Sequence, residues 1–327
     1  MKYLTAEAIC SLPLQFYGNE RKTMQLGSGS HVYELVEGWA KLPEHIKTGY
    51  THGVVTDKND NVYVFNQSKD AMIVFDRDGN FLKSWGEEFS EGAHGLMIHE
   101  EDGEEFLYLT DYIVKVVVKT TLEGREIFRI GIPPHQPTQH QPDEYRPTWT
   151  DIAPNGDIYI TDGYGLHFVH HFDKHGKYIR SWGGLGKEQG KLKCPHGISA
   201  IVNNGTLEIY VADRVNNRLQ IFTPEGEFKR FVTHDFRSPN VVIEKDGFRY
   251  IPELDCRIMI LDAKDQIIGQ FGDYKEVKDM EGWPNIDPAK RITGKFSSPH
   301  GLWVDAHDDI YIVEWIEDGR ITKLKRC

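Results

Sequence analysis

Six segments of the chain repeat one pattern, and that repetition restricts the fold more than any other feature. They are "THGVVTDKNDNVYVFN" from residue 51, "AHGLMIHEEDGEEFLYLTD" from 93, "PTWTDIAPNGDIYITD" from 147, "PHGISAIVNNGTLEIYVAD" from 195, "SPNVVIEKDGFRYIPE" from 238 and "PHGLWVDAHDDIYIVE" from 299. Each reads as a short apolar strand, a turn rich in Asn, Asp or Gly, and a second strand alternating around Tyr or Val, which is the pattern of a β-hairpin. Four copies continue in the same manner, as in "MIVFDRDGNFLKSWG" from 72 and "RLQIFTPEGEFKRFV" from 218. These add a third and a fourth strand joined by an Asp-x-x-Gly type turn. A meander of roughly 40–60 residues cannot bury both of its faces alone, whereas a ring of six can. The repeat therefore predicts an all-β fold, a six-bladed β-propeller.

The last copy stops after a third strand, "RITKLKRC". "HVYELVEGW" at 31–39 alternates properly and precedes the first full unit, so it is expected to pair with the last blade and close the ring, hiding two sheet edges. The organisation that follows is a single propeller domain over 1–327. It comprises an N-terminal extension at 1–30, the closing strand at 31–39 and six blades over about 50–327.

A hydrophobic share of 39% supplies the core of such a ring, while a formal charge of −12 opposes phosphate backbones and anionic lipid. Nucleic acid and membrane are thus excluded as expected partners, leaving a small-molecule substrate. No stretch approaches a signal peptide's apolar core or a membrane span. Cys10, Cys194, Cys256 and Cys327 show no CxxC spacing. The expectation is a cytoplasmic protein with free thiols, in which the sequons at Asn66 and Asn204 are chance matches.

In a meander the connection entering strand one and the loop leaving strand two lie on the same propeller face, nearest the axis. Aligned on the second strand, His52, His94, Thr148, His196, Asn240 and His300 share one position in units one to six. His94, His196 and His300 fall in alternate units, about 120° apart around the axis. Three neutral imidazoles with an open fourth position suit a catalytic zinc ion or another divalent transition metal. His52, which makes the set asymmetric, is expected to contact substrate or support a ligand.

The loops after strand two contribute Gln67, Tyr112, Tyr164, Arg214, Glu253, Glu314 and Trp315 to the same mouth. Tyr164 next to a metal can act as a base, Arg214 can hold a carboxylate, and Gln67, Tyr112, Glu253, Glu314 and Trp315 are expected to contact substrate. Asp111, Asp162 and Asp213 are read as a turn contact common to the repeats. The long connections at 133–147 and 273–298 rise from the histidine face, where lids and specificity loops are common. His135 and His140, in the first of them, are expected to be solvated. His167, His170 and His171 fall on a third strand, as surface or interblade residues. "GGLGKEQGKL" at 183 lacks the first glycine and the Ser or Thr of a phosphate loop.

"DIYITDGYG", "SWGGLGKEQGKLKCPHGISA" and "VADRVNNRLQIF" resemble the NHL-repeat propellers, and within them peptidyl-α-hydroxyglycine α-amidating lyase and its bacterial relatives. The resemblance spans all six units and is tightest over 147–222. It implies cleavage of an α-hydroxyglycine C–N bond to a peptide amide and glyoxylate, with zinc on His94, His196 and His300, Tyr164 as base and Arg214 at the substrate. Three positions depart from that pattern. Gln67 stands where an arginine is expected, Gly301 where an aspartate accompanies a structural calcium, and Gly165 where a cysteine follows "DGY". The lost charge and the lost carboxylate point to a different substrate and away from calcium. The expected function is a metal-dependent, lyase-like enzyme for a small hydroxylated or carbonyl substrate. The alternatives are a non-catalytic NHL propeller that binds a protein or small ligand, and a metal-dependent hydrolase or sugar-modifying lyase on the same scaffold.

Overall fold

The computed structural model describes residues 24–134 and 144–327. His135 and His140 lie outside them, as does most of the N-terminal extension. Strands β1 (Gln25–Ser28) and β2 (His31–Val36) open the described chain. Blade one follows as β3 (Thr51–Thr56), β4 (Val62–Asn66), β5 (Met72–Phe75) and β6 (Phe81–Trp85). Blade two holds β7 (Ala93–Glu101), β8 (Glu104–Asp111), β9 (Val116–Thr121) and β10 (Glu126–Ile130). Blade three holds β11 (Trp149–Ile152), β12 (Ile158–Thr161), β13 (Phe168–Phe172) and β14 (Tyr178–Gly183). Blade four holds β15 (Pro195–Asn203), β16 (Thr206–Asp213), β17 (Arg218–Phe222) and β18 (Phe228–Val232). Blade five holds β19 (Ile243–Lys245), β20 (Phe248–Glu253), β21 (Arg257–Leu261) and β22 (Ile267–Phe271), and blade six begins with β23 (Pro299–Val304), β24 (Ile310–Glu314) and β25 (Ile321–Arg326). Every blade is an antiparallel meander, and the fold is an all-β six-bladed propeller.

Ring closure uses the N-terminal strand. β2 pairs antiparallel with β25, Tyr33 opposite Arg326 and Val36 opposite Lys323, and β1 adds a fifth strand outside it. The sheet edge left by the short last unit is thereby covered by chain from the opposite terminus.

Strand burial follows distance from the axis. β4, β5, β12, β21 and β24 are buried at every residue, because each is flanked by a neighbouring blade on both faces. Outer strands such as β6 and β22 keep one side in water. Neighbouring blades also interlock through the repeated "SWG" and Asp-x-x-Gly sequences. A Cβ on Gly124 would lie 2.6 Å from the Trp85 ring of the preceding blade, and one on Gly226 would lie 2.5 Å from Trp182. Both glycines have φ near +85°, +84° and +88° respectively, so glycine is required there for turn conformation and for contact.

One device recurs where β4, β8, β12, β16, β20 and β24 end. Asp111 accepts from the backbone N–H groups of Ile113 and Val114 at 2.8 and 2.7 Å. Asp162 accepts from Arg146 N at 2.7 Å, and Asp213 from Lys193 N at 2.7 Å. Glu253 and Glu314 occupy the same position and were expected at the substrate. Instead, Glu253 accepts from Arg237 N at 2.7 Å and pairs with Arg257, and Glu314 accepts from Ser297 N at 2.7 Å and pairs with Arg320. Both carboxylates are fully buried and spend both oxygens inside the fold. They serve the turn contact assigned to the aspartates, since a buried carboxylate is kept only where it is paired.

Candidate metal centre

The histidines at the strand entrances converge. His52, His94, His196 and His300 are each at most 2% exposed. Their ring centroids lie 4.7 Å (His52–His94), 4.9 Å (His94–His196), 4.7 Å (His196–His300) and 4.6 Å (His300–His52) apart. His94 and His300 form the short diagonal, at 4.8 Å.

Local strand geometry explains why these side chains turn inward. The pairing of β3 with β4, β7 with β8, β15 with β16 and β23 with β24 slips by one residue at each histidine. Each imidazole therefore sits in a β-bulge, which re-aims a side chain out of the ladder. Blades three and five carry Thr148 and Asn240 at this position, just ahead of β11 and β19.

Three of these histidines are oriented by the next blade, and His52 by its own chain. His94 Nδ1 donates to the Thr148 carbonyl at 2.6 Å, His196 Nδ1 to the Asn240 carbonyl at 3.1 Å, and His300 Nδ1 to the His52 carbonyl at 3.0 Å. His52 Nδ1 donates to the Tyr50 carbonyl at 3.0 Å. A carbonyl can only accept, so the proton of each neutral ring is on Nδ1 and the Nε2 lone pair is free. The glycine after His94, His196 and His300 permits this approach. A Cβ on Gly197 would meet the Asn240 oxygen at 2.3 Å, and one on Gly301 the His52 oxygen at 2.3 Å.

Burial holds these imidazoles in the neutral form. It pushes His52 down to about 3, against the opposing effect of the Tyr50 carbonyl. Burial likewise holds His94, His196 and His300 well below the usual histidine value, and Arg214 and neighbouring imidazoles add to the effect. In an unfolded chain the same groups protonate near pH 6.5. Stability of the metal-free protein is therefore expected to be complete above that pH and to fall as pH drops from about 6.5 toward 3. The loss is about 1 kcal/mol per pH unit for each such histidine. Urea unfolding at pH 7.5 and 5.5 measures it, and His52→Gln should show a shallower fall. Identical falls in the two proteins would refute the assignment.

Four polar groups surround the cluster. The Tyr164 hydroxyl lies 3.1 Å from His94 Nε2 and 3.3 Å from His196 Nε2. The Tyr164 side chain is otherwise 37% exposed, standing at the mouth with its polar end inside. Burial raises its phenol pKa, with the Arg214 guanidinium acting in the other direction at 5.4 Å from the ring. Arg214 also donates to Asn240 Oδ1 at 3.4 Å. Tyr112 packs edge-on against both His94 and Tyr164, and Gln67 Nε2 reaches its hydroxyl at 3.4 Å. Gln67, Tyr112, Tyr164 and Arg214 are thus brought to the histidines, and Glu253 and Glu314 are not.

Trp315 stands farther round the same face, half-buried against Tyr50 with centroids 5.6 Å apart. The 273–298 connection reaches this pair through Asn285, whose amide donates to the Tyr50 hydroxyl at 2.8 Å. That connection carries its own small core of Tyr274, Val277 and Ile286 against Cys256. On β13, His170 and His171 are buried rather than surface residues. His170 is hydrogen-bonded to Ser181 at 2.6 Å, and His171 is stacked on Tyr159 at 4.4 Å.

The donor set suits a metal. Nδ1 is engaged in all four rings, and the buried Nε2 of His300 has no hydrogen-bond partner. Such an atom costs free energy unless a cation or proton satisfies it. One ring nitrogen from each of His52, His94 and His300 lies within 4.8 Å of the others, so this group could hold an ion. His52 thus joins the cluster itself, although the sequence pattern assigned it a contact outside the ligand set. His196 lies on the other side of the His94–His300 pair, beside Tyr164. Sequence reasoning did not find Tyr50 or the bulges.

No protein-family model matches the chain. Mouse peptidyl-glycine alpha-amidating monooxygenase is 25% identical over 325 residues, covering 88% of this chain and 31% of the relative. The chain therefore spans about a third of the length of that relative. Mouse NHL repeat-containing protein 3 is 27% identical over 208 residues, 60% of this chain and 58% of the relative. The Caenorhabditis elegans protein named probable peptidyl-alpha-hydroxyglycine alpha-amidating lyase is 25% identical over 243 residues, 66% of this chain and 68% of the relative. Among solved structures, a streptogramin B lyase matches with a TM-score of 0.60 at 15% identity, over 86% of this chain and 95% of that one, which bears on the fold alone. The chain is a six-bladed β-propeller similar to an NHL repeat-containing protein and to the peptidyl-α-hydroxyglycine α-amidating lyases.

Proposed function

We propose that the chain is a metal-dependent, lyase-like enzyme acting on a small hydroxylated or carbonyl substrate at the histidine mouth. The observation that carries this reading is the cluster of neutral imidazoles with Nδ1 tied to backbone carbonyls and Nε2 free, beside Tyr164 and Arg214. Backbone partners of this kind orient metal-binding histidines. His94 and His300, with His196 or His52, would hold a divalent ion, and an all-imidazole set suits zinc, iron, nickel or copper. When bound, such an ion polarises a hydroxyl or carbonyl oxygen.

Tyr164 is the proton carrier in this scheme. Its phenol pKa is raised in the metal-free site, and positive charge at the imidazoles would bring it down toward the range of a base. The phenolate oxygen then takes the proton of a substrate hydroxyl, and the phenol returns one to the departing nitrogen or oxygen. Arg214 orients an anionic or polar substrate group. Gln67 supplies a neutral hydrogen bond where the related lyases are expected to carry a positive charge, so the substrate need not be a peptidyl-α-hydroxyglycine.

Metal content of tag-free protein, beside a His94, His196 and His300 triple alanine variant, tests the centre. About one transition metal per chain in the first and none in the folded variant supports the proposal; none in either, with both folded, ends it. α-Hydroxy amides and sugars are the first substrates to screen. With an activity in hand, Tyr164→Phe is expected to lower turnover by about 10²–10⁴-fold with metal content unchanged. Unaltered turnover would remove Tyr164 from the chemistry.

A further inference from the structure

We infer that His52 is a fourth ligand of the metal, on the same footing as His94, His196 and His300. The inference rests on reading the cluster as a metal centre and goes beyond the three-histidine arrangement expected from the sequence.

Three observations put His52 in the first coordination sphere. It occupies the same bulge at the start of its blade as the other three. Its Nδ1 is spent on a carbonyl, so its remaining nitrogen is an acceptor like theirs. Its separations from His94 and His300, 4.7 and 4.6 Å, are no longer than those of His196 from the same two rings, 4.9 and 4.7 Å. Imidazoles bound through nitrogen at about 2.1 Å to one ion, at right or tetrahedral angles, have ring centres about 4.6–5.3 Å apart. All five close pairs fall in the lower part of that range. Among the described residues no ring contact joins His52 to His196, so these two stand at opposite corners with the His94–His300 pair between them. Four acceptors facing one another without a donor between them are unfavourable, and Tyr164 has a single proton to offer two of them. One cation would satisfy the nitrogens of His52, His94 and His300, which lie within 4.8 Å of one another, and would draw in His196 as the fourth by a shift of its ring.

The fourth imidazole changes the chemistry. A tetrahedral ion held by four histidines has no position for substrate, whereas an ion that takes five or six ligands keeps one or two. Four such ligands would favour metals that expand their coordination over zinc as the partner of a substrate oxygen.

The test uses the full chain loaded with cobalt or zinc, wild type beside His52→Ala, with His52→Gln as the substitute if the alanine variant does not fold. X-ray absorption counts the imidazoles at the metal, and competition with a chelator gives the affinity. Four imidazoles in the wild type, three in the variant and affinity lower by at least about tenfold are expected. A count of three in the wild type overturns the four-histidine centre, and unchanged affinity in the folded variant removes His52 from the ligands. Absence of bound metal from folded wild type refutes the underlying metal reading instead.

Discussion

Gly197→Ala is expected to destabilise the protein by about 1–3 kcal/mol, toward the upper end of that range, and to loosen the proposed metal site with it. Gly197 has ordinary extended conformational needs; what it lacks is room. A Cβ there would lie 2.3 Å from the Asn240 oxygen and 2.7 Å from Val241 Cα, both backbone atoms of blade five. Neither can swing aside as a side-chain tip would, so blades four and five must separate. The Asn240 oxygen is also the acceptor that orients His196. Instability and weakened metal binding should therefore appear together. Urea unfolding would show a lower midpoint with an unchanged slope. Gly131→Ala is the control, because no atom lies within 4 Å of its would-be Cβ. Equal midpoints for Gly197→Ala and wild type would mean that the close approach of the blades is not what the repeated glycine secures.

Stripping the metal of the proposed centre should leave the ring folded but less stable. The ring is closed by the β2–β25 pairing and the apolar faces between blades, so the ion is not needed to complete it. An ion that binds only the folded state nonetheless adds about 4 kcal/mol when free ion exceeds Kd about 1,000-fold. The melting temperature should accordingly rise with added metal and fall with chelator. A double variant, His94→Ala with His300→Ala, removes the two rings that touch every other member of the cluster, and its melting temperature should not respond. A metal-dependent shift of wild-type size in that variant would place the ion elsewhere. Loss of fold on chelation would make the metal structural rather than a working centre.

Much of the architecture is legible in the chain because a propeller is built from local units. Hairpin turns, alternating strands and the Asp-x-x-Gly signal each need only a dozen residues of context, and six recurrences multiply a weak signal into a firm one. The closing strand at 31–39 was readable for the same reason, as an unpaired strand matched by an unfinished blade. The positions of Gln67, Tyr112, Tyr164 and Arg214 followed from the parity of a meander.

Where reading by position failed, side-chain partners decided the outcome. Glu253 and Glu314 occupy mouth positions by parity, yet Arg257 and Arg320 claim them inside the fold, and those arginines lie on other strands or loops. His52 looked like the odd member of a threefold pattern because spacing along the chain counts blades and carries no information on distance across the axis. Sequence by itself determined that imidazoles, Tyr164 and Arg214 share one mouth of a six-bladed ring. Only the tertiary structure decided which imidazoles stand within a metal's reach, because the bulges, the interblade carbonyls and the 4.6–4.9 Å ring separations arise from blades packing against one another around the axis.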